Sequence, residues 1–384
     1  MEKKKALMLA SVASMIDQFN MPNIELLQSL GYHVDGVADY TNPGNISNER
    51  SEELQKRLRE MGAEPIDIPI PRSINYSTIQ KAYKLVKALV TTEHYDLIHC
   101  HSPIGGAIAR MAAKSERKTG TQVIYTAHGF HFYDGAPLKN WLIFYPVEKY
   151  LSRYTDVLIT INKEDYSRAK KQFKAKKTVY VPGIGVDIDK FVARKHRDDI
   201  RKELGILKDD IVLLSVGELN DNKNHENVIR ALGNLKAGDS LPENLYYIIV
   251  GKGNKEEKLG RIIIENKLKG IVKLIGFRQN IADFYSAADI FVFPSFREGL
   301  SVSLMEAMAS GLPVICSKIR GNTDLIDDQG GIFFEPGEVA SIGNAIQKMI
   351  KADSARYGSY NMEKIRSFDL KTVEATMAEL YRGA

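Results

Sequence analysis

The chain has 384 residues, a length that usually means two domains. Its 44% apolar and 26% charged residues are those of an ordinary folded protein, which excludes a disordered tail or a collagen-like fibre. The net charge of +5 is too small for a general nucleic-acid coat and is unevenly placed: residues 1–190 hold 26 Lys/Arg and 21 Asp/Glu, whereas residues 191–384 hold 27 of each.

In chain order, apolar runs alternate with helix-like stretches from the start. Residues 6–15 form a short apolar run that lacks a convincing small-residue cleavage site and runs into Asp17, which predicts a strand, at 6–12, and not a signal peptide. A helix over 23–30 stops at Gly31, a strand follows at 33–39, and a charged amphipathic helix over 49–61 stops at Gly62. A strand at 64–70, a helix at 79–91 and apolar strand cores at 97–101, 122–127 and 157–160 complete the first series. Such unbroken apolar runs fit strands buried on both faces of a parallel sheet. Pro182, Gly183, Ile184 and Gly185 interrupt the rhythm, and the polar stretch 194–201 marks the expected linker. The alternation then restarts, with strands at 211–216, 245–250, 272–275, 290–293 and 314–316 and helices at 225–235, 256–268, 281–287 and 303–310. Two such series predict an α/β protein of two doubly wound, Rossmann-like parallel-sheet domains, over 1–190 and 191–361, with ligand outside the C-terminal ends of the strands.

Two cysteines, Cys100 and Cys316, cannot make a disulfide framework or a four-sulfur zinc site and point to a reducing, cytoplasmic setting. No run reaches 18 apolar residues, so no membrane-spanning helix is expected. Neither Gly105 with Gly106 nor Gly251 with Gly253 completes the dinucleotide fingerprint, and no Walker A sequence occurs.

The segment richest in chemistry is 293–313, FPSFREGLSVSLMEAMASGLP. A strand ends at Phe293, a loop carries Arg297, Glu298 and Gly299, and a helix begins near Ser301. The free amides of a helix start bind anions, and Gly299 lets backbone approach a ligand closely. Glu298, before the helix, and Glu306, more than one turn inside it, suit the hydroxyls of a sugar, which donate to carboxylates. One helix-face carboxylate and one solvated carboxylate explain the spacing equally well.

Glu298 and Glu306, with seven residues between them in EGLSVSLMEAMASGLPVI, resemble the Glu-x7-Glu signature of the family-4 retaining glycosyltransferases. The likeness continues in the expected order through HCHSP (99–103), TAHGFHF (126–132), VPGIGVDIDKF (181–191), VGELNDNKNHENVIRAL (216–232), VGKGNKEEKL (250–259) and IGFRQNIADFYSAADIFVFPS (275–295), and covers nearly the whole chain. The first half is most similar to members that build bacterial capsules and exopolysaccharides. The resemblance implies the GT-B architecture of two facing domains, with acceptor bound by 1–190, donor by 191–361, and a last helix within about 362–384 packing back on the first domain. It implies a retaining, metal-independent transfer of a hexose or N-acetylhexosamine from a nucleotide sugar, UDP-linked by resemblance alone, to a polyprenyl-diphosphate-linked saccharide. No cofactor besides the donor and no nucleic acid enter that reading.

By the same resemblance, Glu306 would hold the ribose hydroxyls, Glu298 the donor sugar's hydroxyls, and the amides of Gly299, Leu300, Ser301 and Val302 would face the sugar and the diphosphate. Lys223 would neutralise the diphosphate, Phe277 and Arg278 would present backbone to the base, Gly251 would join the donor site, and His128 would reach the sugar from the other domain. The departing diphosphate would be stabilised by Lys223, the helix start and Arg297, and it would take the acceptor's proton in a same-face attack. Two departures stand out. Glu218 occupies the place where the family usually carries Arg, so that either Lys223 and Arg297 carry the anion or Glu218 orients Lys223 through an ion pair. Ser11, Val12, Ala13 and Ser14 replace the usual glycine pair after the first strand, leaving Ser11, Ser14 and His101 as acceptor-side candidates.

His99 and His101 share a strand face, and with His128 and His131 they suggest a metal, though zinc would need a fourth ligand and a second shell. The preferred reading is a hydrogen-bonded strand His99, with His101 and His128 lining the cleft and no metal. Residues 138–154 gather Trp141, Phe144, Tyr145, Tyr150 and Tyr154 in a stretch interrupted at Pro146, and residues 163–177 carry seven basic groups against Glu164 and Asp165. Rings beside cations suit an anionic membrane surface, which would place the protein on the inner face of the cell membrane. A packed helix followed by a solvated one fits as well. Two alternatives share the architecture: a nucleotide-sugar 2-epimerase and a non-catalytic nucleotide-sugar-binding regulator, the latter supported only by Glu218.

Overall fold

The computed structural model describes residues 3–192 and 196–383. Arg194, in the expected linker, lies outside them. The chain divides into two compact units, Met1–Ile184 with Val373–Ala384, and Gly185–Thr372. The division falls ahead of residue 190, and residues 362–372 stay with the second unit.

The first unit holds β1 (Lys5–Val12), β2 (His33–Asp39), β3 (Glu64–Asp67), β4 (Leu97–His101), β5 (Gln122–Ala127), β6 (Val157–Thr160) and β7 (Lys177–Tyr180). They form one parallel sheet in the order β3-β2-β1-β4-β5-β6-β7. The winding reverses between β1 and β4, and a sheet of this kind opens a crevice at the C-terminal strand ends beside such a reversal. Strand β1 is apolar on both faces: Leu7 and Leu9 enter one core layer, Ala6, Met8 and Ala10 the other. The last helix, Leu370–Arg382, adds Val373, Met377, Leu380 and Tyr381 to that second layer, an i, i+4, i+7, i+8 stripe.

The second unit holds β8 (Ile211–Val216), β9 (Leu245–Val250), β10 (Val272–Gly276), β11 (Ile290–Phe293), β12 (Val314–Ser317) and β13 (Gly331–Phe334), all parallel, in the order β10-β9-β8-β11-β12-β13. Here the reversal lies between β8 and β11.

Departures from the expected elements have local causes. Helices Ala13–Phe19 and Met21–Ser29 replace the single helix at 23–30, with Asn20 between them turning its side-chain amide onto the Met15 carbonyl at 2.9 Å. Strand β3 stops at Asp67, short of residue 70, where the Asp67 carboxylate accepts the Tyr40 amide at 2.7 Å. Pro146 does not interrupt its helix, which runs Leu138–Leu151. The amide that Pro146 lacks would have met the carbonyl of Leu142, a residue on the exposed face, where a missing bond costs least. The basic stretch is a helix, Lys163–Gln172, followed by the unforeseen edge strand β7.

Candidate active site

In the second unit the candidate residues follow the C-terminal ends of β8 to β11. Lys223 comes after β8 and Glu298 after β11, so the reversal brings them together: Lys223 Nζ lies 2.7 Å from Glu298 Oε1, with the side chains 18% and 14% exposed. The ammonium also stands 4.9 Å from the centre of the Phe293 ring. The two loops are bonded into one platform. Asn222 Nδ2 donates to the Arg297 carbonyl at 2.9 Å and the Phe296 amide to the Asn222 carbonyl at 2.8 Å. Asn224, at φ 53°, donates to the carbonyls of Pro294 (3.1 Å) and Pro336 (2.8 Å). The expected alternative in which Glu218 orients Lys223 is corrected by this geometry. The lysine stem runs along Gly217, where a Cβ would stand 3.3 Å from Lys223 Cε, and its head meets Glu298 while Glu218 is exposed. Arg297 is exposed on the loop beside Glu298.

Glu306 sits on the helix Val302–Ala309, whose N-cap Ser301 accepts the Leu304 amide at 3.3 Å and lies 3.0 Å from the Ser303 hydroxyl. Tyr285 donates to Glu306 Oε2 at 2.9 Å. Burial pushes the Glu306 carboxyl above its ordinary value, against the pull of the Tyr285 bond and the Lys190 charge. Tyr285 was not anticipated; a tyrosine beside Phe284 in a short helix was the available signal, since a buried phenol seeks a partner. Leu300 and Val302 are half-buried at the helix start.

Gly251 (φ +155°) has a packing role of its own: a Cβ there would stand 1.8 Å from the Gly217 carbonyl oxygen, so only glycine lets the ends of β8 and β9 meet. Phe277 is 65% exposed and Arg278 is exposed too, paired with Glu203 at 3.3 Å. They follow β10, at the sheet edge, two strands from the Lys223–Glu298 pair.

In the first unit, His99 is fully buried, with ring nitrogens 2.8 Å from the Thr126 and Tyr381 hydroxyls. His101 Nδ1 lies 3.1 Å from His128 Nε2, and His101 Nε2 lies 3.3 Å from Met8 Sδ. Burial holds the three imidazoles neutral, lowering His99 to about 3, His128 to about 4 and His101 well below its ordinary value. The expectation that His101 lines a cleft is corrected: it is 1% exposed. His131 stands apart, stacked on Phe144 at 4.5 Å. Ser11 and Ser14 are buried as well, the Ser11 hydroxyl accepting the Gly105 amide at 3.2 Å across the β1/β4 reversal and the Ser14 amide bonding the Pro43 carbonyl at 2.9 Å. Among the described residues no group of three or more His, Cys, Asp or Glu side chains is placed to hold a metal ion. The chain does carry one Asp-x-Asp, Asp187 and Asp189 around Ile188; the first caps the Lys190 amide at 3.3 Å and the second pairs with Lys371 at 3.0 Å. Cys100 and Cys316 are buried thiols, and burial pushes Cys100 up to about 12.

The helix Leu138–Leu151 packs Trp141, Phe144 and Tyr145, each partly buried, against the core and leaves Leu138, Leu142, Ile143, Val147 and Tyr150 exposed. Ile143 and Val147 also line an apolar groove of about 500 Å³ with Ile79, Ile104 and Met111. Of the seven cations at 163–177, Arg168 bonds Asp134 (2.7 Å) and Glu164 (3.0 Å), and Lys176 bonds Asp156 (2.7 Å).

Residues 196–364 match the family described as glycosyl transferases group 1, and residues 45–162 match the glycosyl transferase 4-like family. The chain is 35% identical, over 98% of its own length and 96% of the relative's, to EpsD of Bacillus subtilis (strain 168), a glycosyltransferase by name. It is 30% identical, over 70% and 68%, to the UDP-Gal:alpha-D-GlcNAc-diphosphoundecaprenol alpha-1,3-galactosyltransferase of Escherichia coli. Its fold is similar to that of Anabaena HepE, solved in complex with UDP, with a TM-score of 0.78, 20% identity and coverage of 99% and 100% of the two chains. 

Proposed function

The chain belongs to the glycosyl transferases group 1, and on that premise we propose that it moves a hexose or N-acetylhexosamine, with retention and without a metal, from a UDP-sugar to a polyprenyl-diphosphate-linked saccharide in capsule or exopolysaccharide synthesis. The Lys223–Glu298 pair at the β8/β11 reversal is the observation that carries this reading. A sugar diphosphate asks for a cation, a hydroxyl acceptor and free amides close together. Lys223 supplies the first, Glu298 the second, and the start of the Val302–Ala309 helix the third. Glu306 takes the ribose hydroxyls and His128 a hydroxyl of the sugar. The name of the Escherichia coli relative, with UDP-Gal as donor and a diphosphoundecaprenol-linked acceptor, supports both ends of the transfer.

In the step itself, an acceptor hydroxyl oxygen bonds the anomeric carbon as that carbon's bond to the diphosphate oxygen breaks. The acceptor's proton passes to the departing oxygen, and attack on the face the diphosphate leaves retains the configuration. Lys223, Arg297 and the helix start stabilise the charge that develops on the leaving group. The cationic first unit, with its exposed Leu138, Leu142 and Ile143 beside an apolar groove, supports peripheral contact with the anionic inner face of the membrane from the cytoplasm. Among the described residues no helix is long and apolar enough to cross a membrane.

A thermal-shift panel of UDP-, GDP- and ADP-sugars tests the donor, since a ligand at 100 times its dissociation constant adds about 2.7 kcal/mol. UDP-sugars are expected to stabilise the protein and to be consumed when a polyprenyl-diphosphate-linked saccharide is added. Turnover of the sugar without acceptor would favour an epimerase, and binding without any turnover a regulator.

A further inference from the structure

The histidines at the C-terminal ends of β4 and β5 carry a proton assignment. His101 Nε2 faces Met8 Sδ at 3.3 Å. A thioether sulfur accepts and cannot donate, so this nitrogen bears the hydrogen. The aromatic neighbours of His101 are two further imidazoles, His99 with ring centres 4.2 Å away and His128 at 5.3 Å. His99 does not compete for the His101 nitrogens, because its own are bonded to Thr126 and Tyr381. Burial keeps all three rings neutral. A neutral imidazole has one hydrogen, so His101 Nδ1 is bare and accepts. The nitrogen facing it at 3.1 Å, His128 Nε2, is therefore the donor.

We infer that His101, anchored on Met8, fixes His128 as its Nε2–H tautomer, so that His128 offers its ligand a bare Nδ1, a hydrogen-bond acceptor and not a donor. His101 is a positioning residue; that the ligand of His128 is the donor sugar rests on the function proposed above. A bare nitrogen suits a hydroxyl, which donates to it. A carboxylate in that position would set two acceptors against each other. The arrangement selects a neutral, hydroxyl-bearing sugar over a uronic acid.

Histidine-selective 15N labelling of the full chain reads the tautomer without any substrate, with His128 assigned from the spectrum of His128→Gln. The unmodified protein is expected to show His128 protonated at Nε2 and bare at Nδ1. His101→Asn, which keeps an oxygen near the Nδ1 position, is expected to retain that state. His101→Leu removes the acceptor, lets His128 populate both tautomers and raises the donor KM about tenfold, a rise absent in His101→Asn. A cooperative thermal melt like that of the unmodified protein shows that His101→Leu is folded. A His128 protonated at Nδ1 in the unmodified protein overturns the inference whatever the variants do, and so does a His128 tautomer unchanged in folded His101→Leu. A UDP-uronate turned over as well as the neutral UDP-hexose, with the tautomer as expected, overturns the selectivity alone. Failure of the donor assignment leaves the spectra readable.

Discussion

Lys223 and Glu298, 75 residues apart in the chain, bind each other at 2.7 Å. The proposed function gives the lysine the donor's diphosphate and the glutamate its sugar. In the proposed function, donor binding would exchange this ion pair for contacts of each group with the ligand. Lys223→Ala and Glu298→Ala are each expected to lower turnover on the order of a hundredfold. Because either substitution also strands the partner, the double variant should lose far less than the product of the two. A double-mutant cycle in kcat/KM measures this, and near-normal turnover in both single variants would remove the site.

How much of this was legible in the sequence depends on where each contact is made. Strands β1, β5 and β8 are buried on both faces and are built around apolar runs, whereas β4, equally buried, offers only Leu97 and Ile98 before His99. The edge strands β7 and β13 are short, and β7 is partly polar, so they carry no such signal. Residue types at the site were legible too, from the glutamate spacing and the helix start. Their partners were not. Glu218, close to Lys223 in sequence, orients the lysine in one of two readings there, yet the winding of the sheet, which no local spacing reveals, brings Glu298 to it instead. Met8 meets His101, and Tyr285 meets Glu306, for the same reason.

A second prediction concerns stability away from the site. Arg110 is 1% exposed; its Nη1 lies 2.9 Å from Glu148 Oε2 and its guanidinium 3.8 Å from the centre of the Tyr125 ring. Burial works against the Arg110 charge, and the attraction of Glu148 outweighs it, holding the guanidinium protonated. Tyr125 donates to Glu148 Oε1 at 3.2 Å, completing the cluster. Glu148→Ala leaves a buried cation unpaired and is expected to cost about 3–5 kcal/mol in chemical denaturation. Replacing the pair together, Arg110→Met with Glu148→Leu, should recover most of that loss. A single variant as stable as the parent would show that the pair carries no such weight.

The membrane reading makes a separable prediction. Lys170, Lys171, Lys174 and Lys177 are exposed, while Lys176 is shared with Asp156. Neutralising the four should weaken co-sedimentation with anionic vesicles at least tenfold and leave binding to neutral vesicles unchanged. Ile143→Ser with Val147→Ser should weaken both, because these side chains are apolar and exposed next to the groove. Sedimentation unaltered in both variants would remove membrane contact through this face.

Glu306 carries the pH prediction. Burial raises its carboxyl above the unfolded value of 4.5. The native state therefore holds this proton more tightly than the unfolded chain does. Below 4.5 both states are protonated and the group is neutral to stability. As the pH rises through the window between the unfolded and the folded value, the unfolded chain loses its proton first, and the native state is progressively destabilised. Glu306→Gln removes that penalty while keeping an oxygen for the Tyr285 hydroxyl. The variant is expected to melt above the parent at pH 8, with the gap closing as the pH falls toward 4.5. Its affinity for UDP should nonetheless drop about tenfold, since an amide oxygen binds the ribose hydroxyls more weakly than a carboxylate. Melting curves from pH 4 to 8 and a UDP titration at pH 8 measure the two effects. A variant less stable than the parent at pH 8 would mean that the Tyr285 bond and the Lys190 charge outweigh burial. Unchanged UDP affinity would take Glu306 out of the nucleotide site.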